Sequence, residues 1–132
     1  MIIIKSIKIL NKKIDFSNNV GFVPTMGALH KGHVSLIKKS VNESRKTIVS
    51  IYVNPKQFGS KNDYKKYPRS FKKDLDTIKK LKVNYLYKPT FFDIYKFKTK
   101  NKIFLDRFSK KLCGKYRKGH FKGVLDVVNR FI

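Results

Sequence analysis

Two stretches of the chain are apolar without interruption and end at a proline. Val20–Val23 halts at Pro24, and Thr47–Val53, reading TIVSIYV, halts at Asn54-Pro55. The second is β-branched and nearly all apolar, as a strand covered on both faces requires. Proline closes each run because it has no N–H to give to a ladder. Between them Val34, Leu36, Ile37 and Val41 recur at helical spacing and predict an amphipathic helix over 33–45. Strand, helix and strand within about 34 residues is the size of a βαβ crossover.

The alternation continues. Ser70 is placed to cap a helix with Leu75, Ile78 and Leu81 on its inner face, and Asp74 and Asp76 favour its early turns. Val83–Tyr87 (VNYLY) predicts the next strand, ended by Pro89. A short turn of helix is expected near Phe91–Tyr95 and an additional strand at Ile103–Leu105. Val124, Val127, Val128 and Phe131 lay an apolar stripe along a last helix. The opening MIIIKSIKIL reads as a strand and the start of a helix. Lys5 and Lys8 interrupt it and no small-residue cleavage site follows, which argues against a signal peptide. Alternating strands and helices predict an α/β fold on a parallel sheet.

Composition narrows this picture. A chain of 132 residues has room for one domain. No apolar run approaches the roughly 18 residues of a membrane span. Cys113 is the only cysteine, which excludes an intrachain disulfide and fits a reducing cytoplasm. The formal charge of +24 suggests nucleic acid as a partner, since lysines and arginines neutralise phosphates and the 14% aromatic content could stack bases. Only five of the 32 basic residues are arginine, however, and they are scattered. Arginine forks are the usual readers of phosphate and guanine. Solvated positions drifting to lysine explain the charge better than nucleic-acid binding does.

Ligands of open α/β sheets bind beyond the carboxyl ends of the strands. PTMGALHKGH, NPKQFG and the later GKYRKGHFKGV fall at such places. In the first, Gly27 lets the backbone turn tightly and approach a ligand. Gly32 sits where a helix begins, and the first turn of that helix is expected to offer unpaired N–H groups to an anion. His30 and His33 share one side if the turn between them is helical. Two imidazoles at a helix start suit nucleotide phosphates, because each can donate to charge building on phosphorus. They are equally compatible with a capped surface helix whose histidines bond locally. A zinc site fits less well, since no other side chains stand at ligand spacing.

HKGH resembles the HxGH signature of the nucleotidyltransferase superfamily. The wider order VGFVPTMGALHKGHVSLI, VSIYVNPKQFG, YPRSFKKDL and GHFKGV resembles the pantoate–β-alanine ligase family, over essentially this whole chain and about the first half of a full member. The resemblance implies a Rossmann-like sheet of the HxGH type and an AMP-forming ligase that uses ATP with Mg²⁺. Pantoate carboxylate would attack the α-phosphorus of ATP, and β-alanine would then displace AMP from pantoyl adenylate to give pantothenate. By the same resemblance Met26, Gly27, Ala28, Leu29, His30, Lys31, Gly32 and His33 hold ATP, and His33 is the catalytic proton donor. Gln57, with Pro24 and Thr25, would bind pantoate and β-alanine. No residue is assigned to a metal, and the full-length family implies a homodimer. Gln57 suits its role on its own chemistry, since one amide both donates and accepts. His120 reads as a structural residue at a helix entrance, while Arg117 and Lys122 could reach phosphate.

Some positions depart from the family pattern. Lys122 stands for an arginine, Lys118 for a proline, and the lysine-rich stretch between Tyr95 and Gly114 is short. The family's glutamate-lysine-aspartate and serine-serine-arginine segments have no counterpart, nor has its C-terminal domain. Residues 1–132 are therefore expected to be a truncated nucleotide-binding domain, its sheet incomplete at the C-terminus, and inactive by itself. A basic nucleic-acid-binding fragment, or a nucleotidyltransferase with another small acceptor, is the alternative expectation.

Overall fold

The apolar runs become strands and the periodic segments become helices, in the order β1 (Ile2–Ile4), α1 (Ile7–Lys13), β2 (Val20–Thr25), α2 (Lys31–Glu43), β3 (Lys46–Ile51), a 3₁₀ turn (Pro55–Gln57), α3 (Lys61–Lys66), α4 (Phe71–Lys80), β4 (Tyr85–Tyr87), α5 (Phe91–Tyr95) and α6 (His120–Phe131). The computed structural model describes residues 1–96 and 120–131. The strand expected at Ile103–Leu105, together with Cys113, Arg117 and Lys118, lies outside the described residues. The chain forms two compact units, Met1–Tyr52 with Pro68–Asp93, and Val53–Tyr67 with Ile94–Ile132.

The first unit is a parallel four-stranded sheet in the order β1-β4-β3-β2, flanked by helices. β3 lies inside it, pairing Val23 with Val49 on one side and Val49 with Leu86 on the other. Five of its six residues are buried, as its unbroken apolar sequence requires. Val49, Ile51, Val23 and Leu86 pack with Ile37 of α2, Ile78 of α4 and Val83, and Val41, Phe71, Leu75 and Leu81 close the rim. Asn84 accepts the Thr47 N–H through its side chain at 2.8 Å, and the Thr47 hydroxyl bonds Ser40 of α2 at 2.9 Å. Both bonds satisfy polar groups at the buried start of β3.

Several boundaries differ from expectation for stated reasons. β2 runs through Pro24 to Thr25, because it is an edge strand of the described sheet and an edge tolerates a missing N–H. β3 ends at Ile51, before the run TIVSIYV is finished. α2 begins at Lys31, with His30 as its cap. Leu36 faces outward at 58% exposed, since Ile37 takes the core-facing direction and one residue is about 100° of helix turn. Ser70 precedes α4 without a side-chain capping bond. α3 was not expected from apolar periodicity; Ser60 caps it, accepting the Asp63 N–H at 3.2 Å.

The second unit joins the 3₁₀ turn, α3 and α6. Phe58 makes edge-on contacts with Tyr64 and Tyr67, at ring separations of 5.6 and 5.4 Å. Arg130 pairs with Asp126 one turn back at 3.0 Å and lies over the Tyr95 ring.

Ile78 is fully buried where α4 meets the sheet. Truncation to alanine would leave a cavity, and Ile78→Ala is expected to cost about 3 kcal/mol of stability. Urea denaturation followed by circular dichroism measures it, and a loss below about 1 kcal/mol would contradict this packing.

Candidate active site

The chain leaves the sheet at Thr25 and re-enters regular structure at Lys31. Backbone N–H groups along that passage and at the start of α2 have no partner in the sheet or the helix, and side-chain acceptors take five of them, at Gly27, Ala28, Leu29, His30 and Gly32. Thr25 supplies the first: its hydroxyl donates to the Ser50 carbonyl at 2.8 Å and accepts the Gly27 N–H at 3.1 Å. Gly27 and Ala28 then take left-handed backbone angles, φ 75° and 50°. Glycine suits this at position 27 for a second reason, because a Cβ there would sit 2.9 Å from Asp74 Oδ2. Asp74 of α4 accepts the next two amides, Ala28 N–H at Oδ2 and Leu29 N–H at Oδ1, both at 2.9 Å.

The histidines take the remaining two. His30 is extended at φ −124°, the conformation of a helix N-cap, and its Nδ1 accepts the Gly32 N–H at 3.1 Å. His33 Nδ1 reaches back to accept the His30 N–H at 3.3 Å. This is a capping box made of two imidazoles, whose rings lie 4.0 Å apart. The expectation that the first turn of α2 leaves its N–H groups open to an anion is corrected at Gly32, whose donor the chain's own histidine occupies.

The box decides the tautomers. A backbone N–H can only donate, so each Nδ1 carries the lone pair and each neutral ring bears its proton on Nε2. Two N–H donors set by the backbone thus remain for a ligand. Burial first, and the neighbouring His30 second, hold the His33 imidazole below its ordinary 6.5, against an opposing pull from Asp74. Met26 and Leu29 are half-buried, while Pro24, His30, Lys31 and Gly32 are exposed.

Gln57 belongs to the second unit, where Asn54 organises it. Fully buried, Asn54 donates from Nδ2 to Gln57 Oε1 at 3.1 Å. Its own Oδ1 accepts the Lys56 N–H at 3.1 Å and the Tyr95 hydroxyl at 3.0 Å. Burial raises the Tyr95 phenol above its ordinary value, against the Asn54 bond, so it persists as a donor. The Gln57 carbonyl accepts from His120 Nδ1 at 3.0 Å, which puts that ring's proton on Nδ1. Gly123 of α6 packs so closely that a Cβ would lie 2.5 Å from the Lys56 carbonyl oxygen. Gln57 Nε2 makes no hydrogen bond among the described residues, leaving the amide's donor end for another partner.

Asp74, Asn54, Tyr95 and Gly123 were not singled out as functional residues from the sequence. Asp74 had one visible signal: it shares the i, i+3, i+4 stripe of Phe71, Leu75 and Ile78, where a carboxylate must find buried donors. Asn54 and Tyr95 meet across 41 positions, which no local pattern reveals.

The profile of the pantoate-beta-alanine ligase family matches residues 2–132. Pantothenate synthetase of Clostridium botulinum strain Okra is 46% identical over 129 residues, 97% of this chain and 46% of that protein. That of Helicobacter pylori is 49% identical over 113 residues, covering 83% of the chain and 41% of the relative. Among solved structures, the pantoate-beta-alanine ligase of Francisella tularensis, complexed with beta-gamma ATP and beta-alanine, superposes with a TM-score of 0.87 at 42% identity. The alignment takes in 99% of this chain and 52% of that one. The chain belongs to the pantoate–β-alanine ligase family, and it spans about half the length of the curated relatives it matches.

Two outcomes are expected. Because the fold favours neutral His33, its contribution is intact above 6.5 and declines as pH falls through that value toward the lowered one. Imidazole NMR titration should place His33 below 6.5, with melting temperature falling over the same range; a midpoint at or above 6.5 contradicts the buried cap. Gly123→Ala should push α6 off the 3₁₀ turn, lowering melting temperature by several degrees, about 1–3 kcal/mol of overpacking.

Proposed function

We propose that this chain carries the nucleotide and acid subsites of a pantoate–β-alanine ligase, the enzyme that condenses pantoate with β-alanine through pantoyl adenylate. The observation that carries the reading is the imidazole capping box: two backbone-set Nε2–H donors in the segment 26–33, read as the ATP loop from its resemblance to the family. Pantoate carboxylate oxygen forms a bond to the α-phosphorus of ATP while the bond to pyrophosphate oxygen breaks. Nε2–H of His33, with that of His30, donates hydrogen bonds to the phosphoryl and leaving-group oxygens as their charge grows, so pyrophosphate leaves as an anion stabilised by the catalytic His33 with no proton transferred to it. The β-alanine amine then attacks the acyl carbon, the bond from that carbon to the AMP oxygen breaks, and the nitrogen gives its surplus proton to water as AMP departs. Gln57 Nε2 is the donor that reads the small acid. ATP, pantoate and β-alanine are the partners of this reading, and the full-length enzyme is a cytoplasmic homodimer.

Mg²⁺ would accompany ATP and neutralise its phosphates. Among the described residues no group of three His, Cys, Asp or Glu side chains is placed to hold a metal. Among the same residues no helix is long and apolar enough to cross a membrane.

Isotope-labelled 1–132 tests the reading. ATP should shift resonances of 26–33, pantoate should shift Gln57, and His33→Ala should abolish the first response while leaving the sheet intact. Residues 1–132 alone should make no pantothenate above that variant, because the family's second half is needed to close the site. Salt-sensitive binding to single-stranded nucleic acid with no response to ATP or pantoate would overturn the proposal.

A further inference from the structure

Asp74 is 3% exposed, and among the described residues its hydrogen bonds go to two backbone amides that lie 45 and 46 positions away. Those amides follow a pair of consecutive left-handed residues, Gly27 and Ala28. Successive amides in such a turn aim at one point and make a concavity that binds an anion. In many nucleotide sites that anion is a phosphate of the ligand. Here one oxygen of the Asp74 carboxylate fills each position. Ala28 carries a side chain at φ 50°, a conformation that residues other than glycine avoid unless their surroundings impose it. A buried carboxylate on a helix anchored by Ile78 supplies that constraint.

We propose that Asp74 is a positioning residue for the nucleotide loop: its carboxylate permanently occupies the nest formed by the Ala28 and Leu29 amides, so that ATP phosphates meet the His30 and His33 imidazoles instead of those amides. The proposal rests on the reading of 26–33 as the nucleotide segment. Asp74 touches no substrate and acts through the loop. A phosphate entering the nest would have to displace a buried charge of its own sign, which closes the nest to it. The loop therefore has one conformation with or without nucleotide, and the imidazole donors are in place before ATP arrives.

The test uses the labelled 132-residue chain. Across-hydrogen-bond couplings should link the Ala28 and Leu29 nitrogens to the Asp74 carboxylate carbon and should survive saturation with ATP. Asp74→Asn, which keeps one acceptor and loses the charge, should speed amide exchange at Ala28 and Leu29 about tenfold or more. It should also move the His33 titration further down, since the charge that opposed its lowering is gone. Leu75→Ala, which weakens the same helix without touching the nest, should lower melting temperature and leave both signals unchanged. In Asp74→Ala the emptied nest should accept inorganic phosphate, read as shifts of those two amides that the native chain does not show.

Loss of the couplings on adding ATP to the native chain would overturn the proposal even if no variant folds. Unchanged exchange and unchanged His33 titration in Asp74→Asn would overturn it too. A native chain that shows the couplings but no response to ATP would refute the nucleotide reading separately.

Discussion

Backbone N–H groups that leave a buried strand must all find acceptors before the next helix can supply its own, and the passage from Thr25 to His33 is built around that requirement. One threonine, one aspartate and two histidines take the amides of Gly27, Ala28, Leu29, His30 and Gly32. Each acceptor is held by something else: Thr25 by the carbonyl of Ser50, Asp74 by a helix seated on the sheet, His33 by the backbone of His30, and His30 by the backbone of Gly32. The geometry of the site follows from this chain of obligations. Once Nδ1 is spent on an amide, Nε2 is the only place for the proton, so the same bonds that start a helix also aim two donors outward.

The second unit applies the same economy to a glutamine. Asn54 has no exposed surface and uses both ends of its amide, one to fix Gln57 and the other to hold a turn and a tyrosine. The sequence departs from its family at Lys122, which is exposed, and not at Gly123, where helix and turn leave no space for a Cβ. A charged tip in water can change type at little cost, whereas a close approach of backbone to backbone cannot.

The sheet and most helices were legible because periodicity and β-branching report burial directly: Thr47–Ile51 and the Val34, Ile37, Val41 stripe needed no partner to be read. Boundaries were less so. Pro24 lies inside β2, which among the described strands pairs with β3 alone, a fact of topology that no window of sequence carries. His30 and His33 were visible as a pair, but their capping role was not, since an imidazole is a rare N-cap and its acceptor nitrogen depends on which tautomer the fold selects. Asp74 was legible only as a charge favouring the start of its helix. That its carboxylate turns away from α4 toward Ala28 and Leu29 depends on a contact across 46 positions.

The histidine box also bears on how such a chain can change over generations. Lysine has spread over the solvated surface, and His30 and Lys31 are exposed neighbours, so exposure by itself would open both positions to the same substitution. An ammonium group has three donors and no lone pair. Placed at 30 or 33 it would confront an amide with another donor, and the first turn of α2 would fray. The two histidines are thus shielded from the compositional pressure acting around them by bonds that the fold needs whether or not the chain turns substrate over. Even a copy relieved of selection for its chemistry would keep them for as long as it was selected to fold.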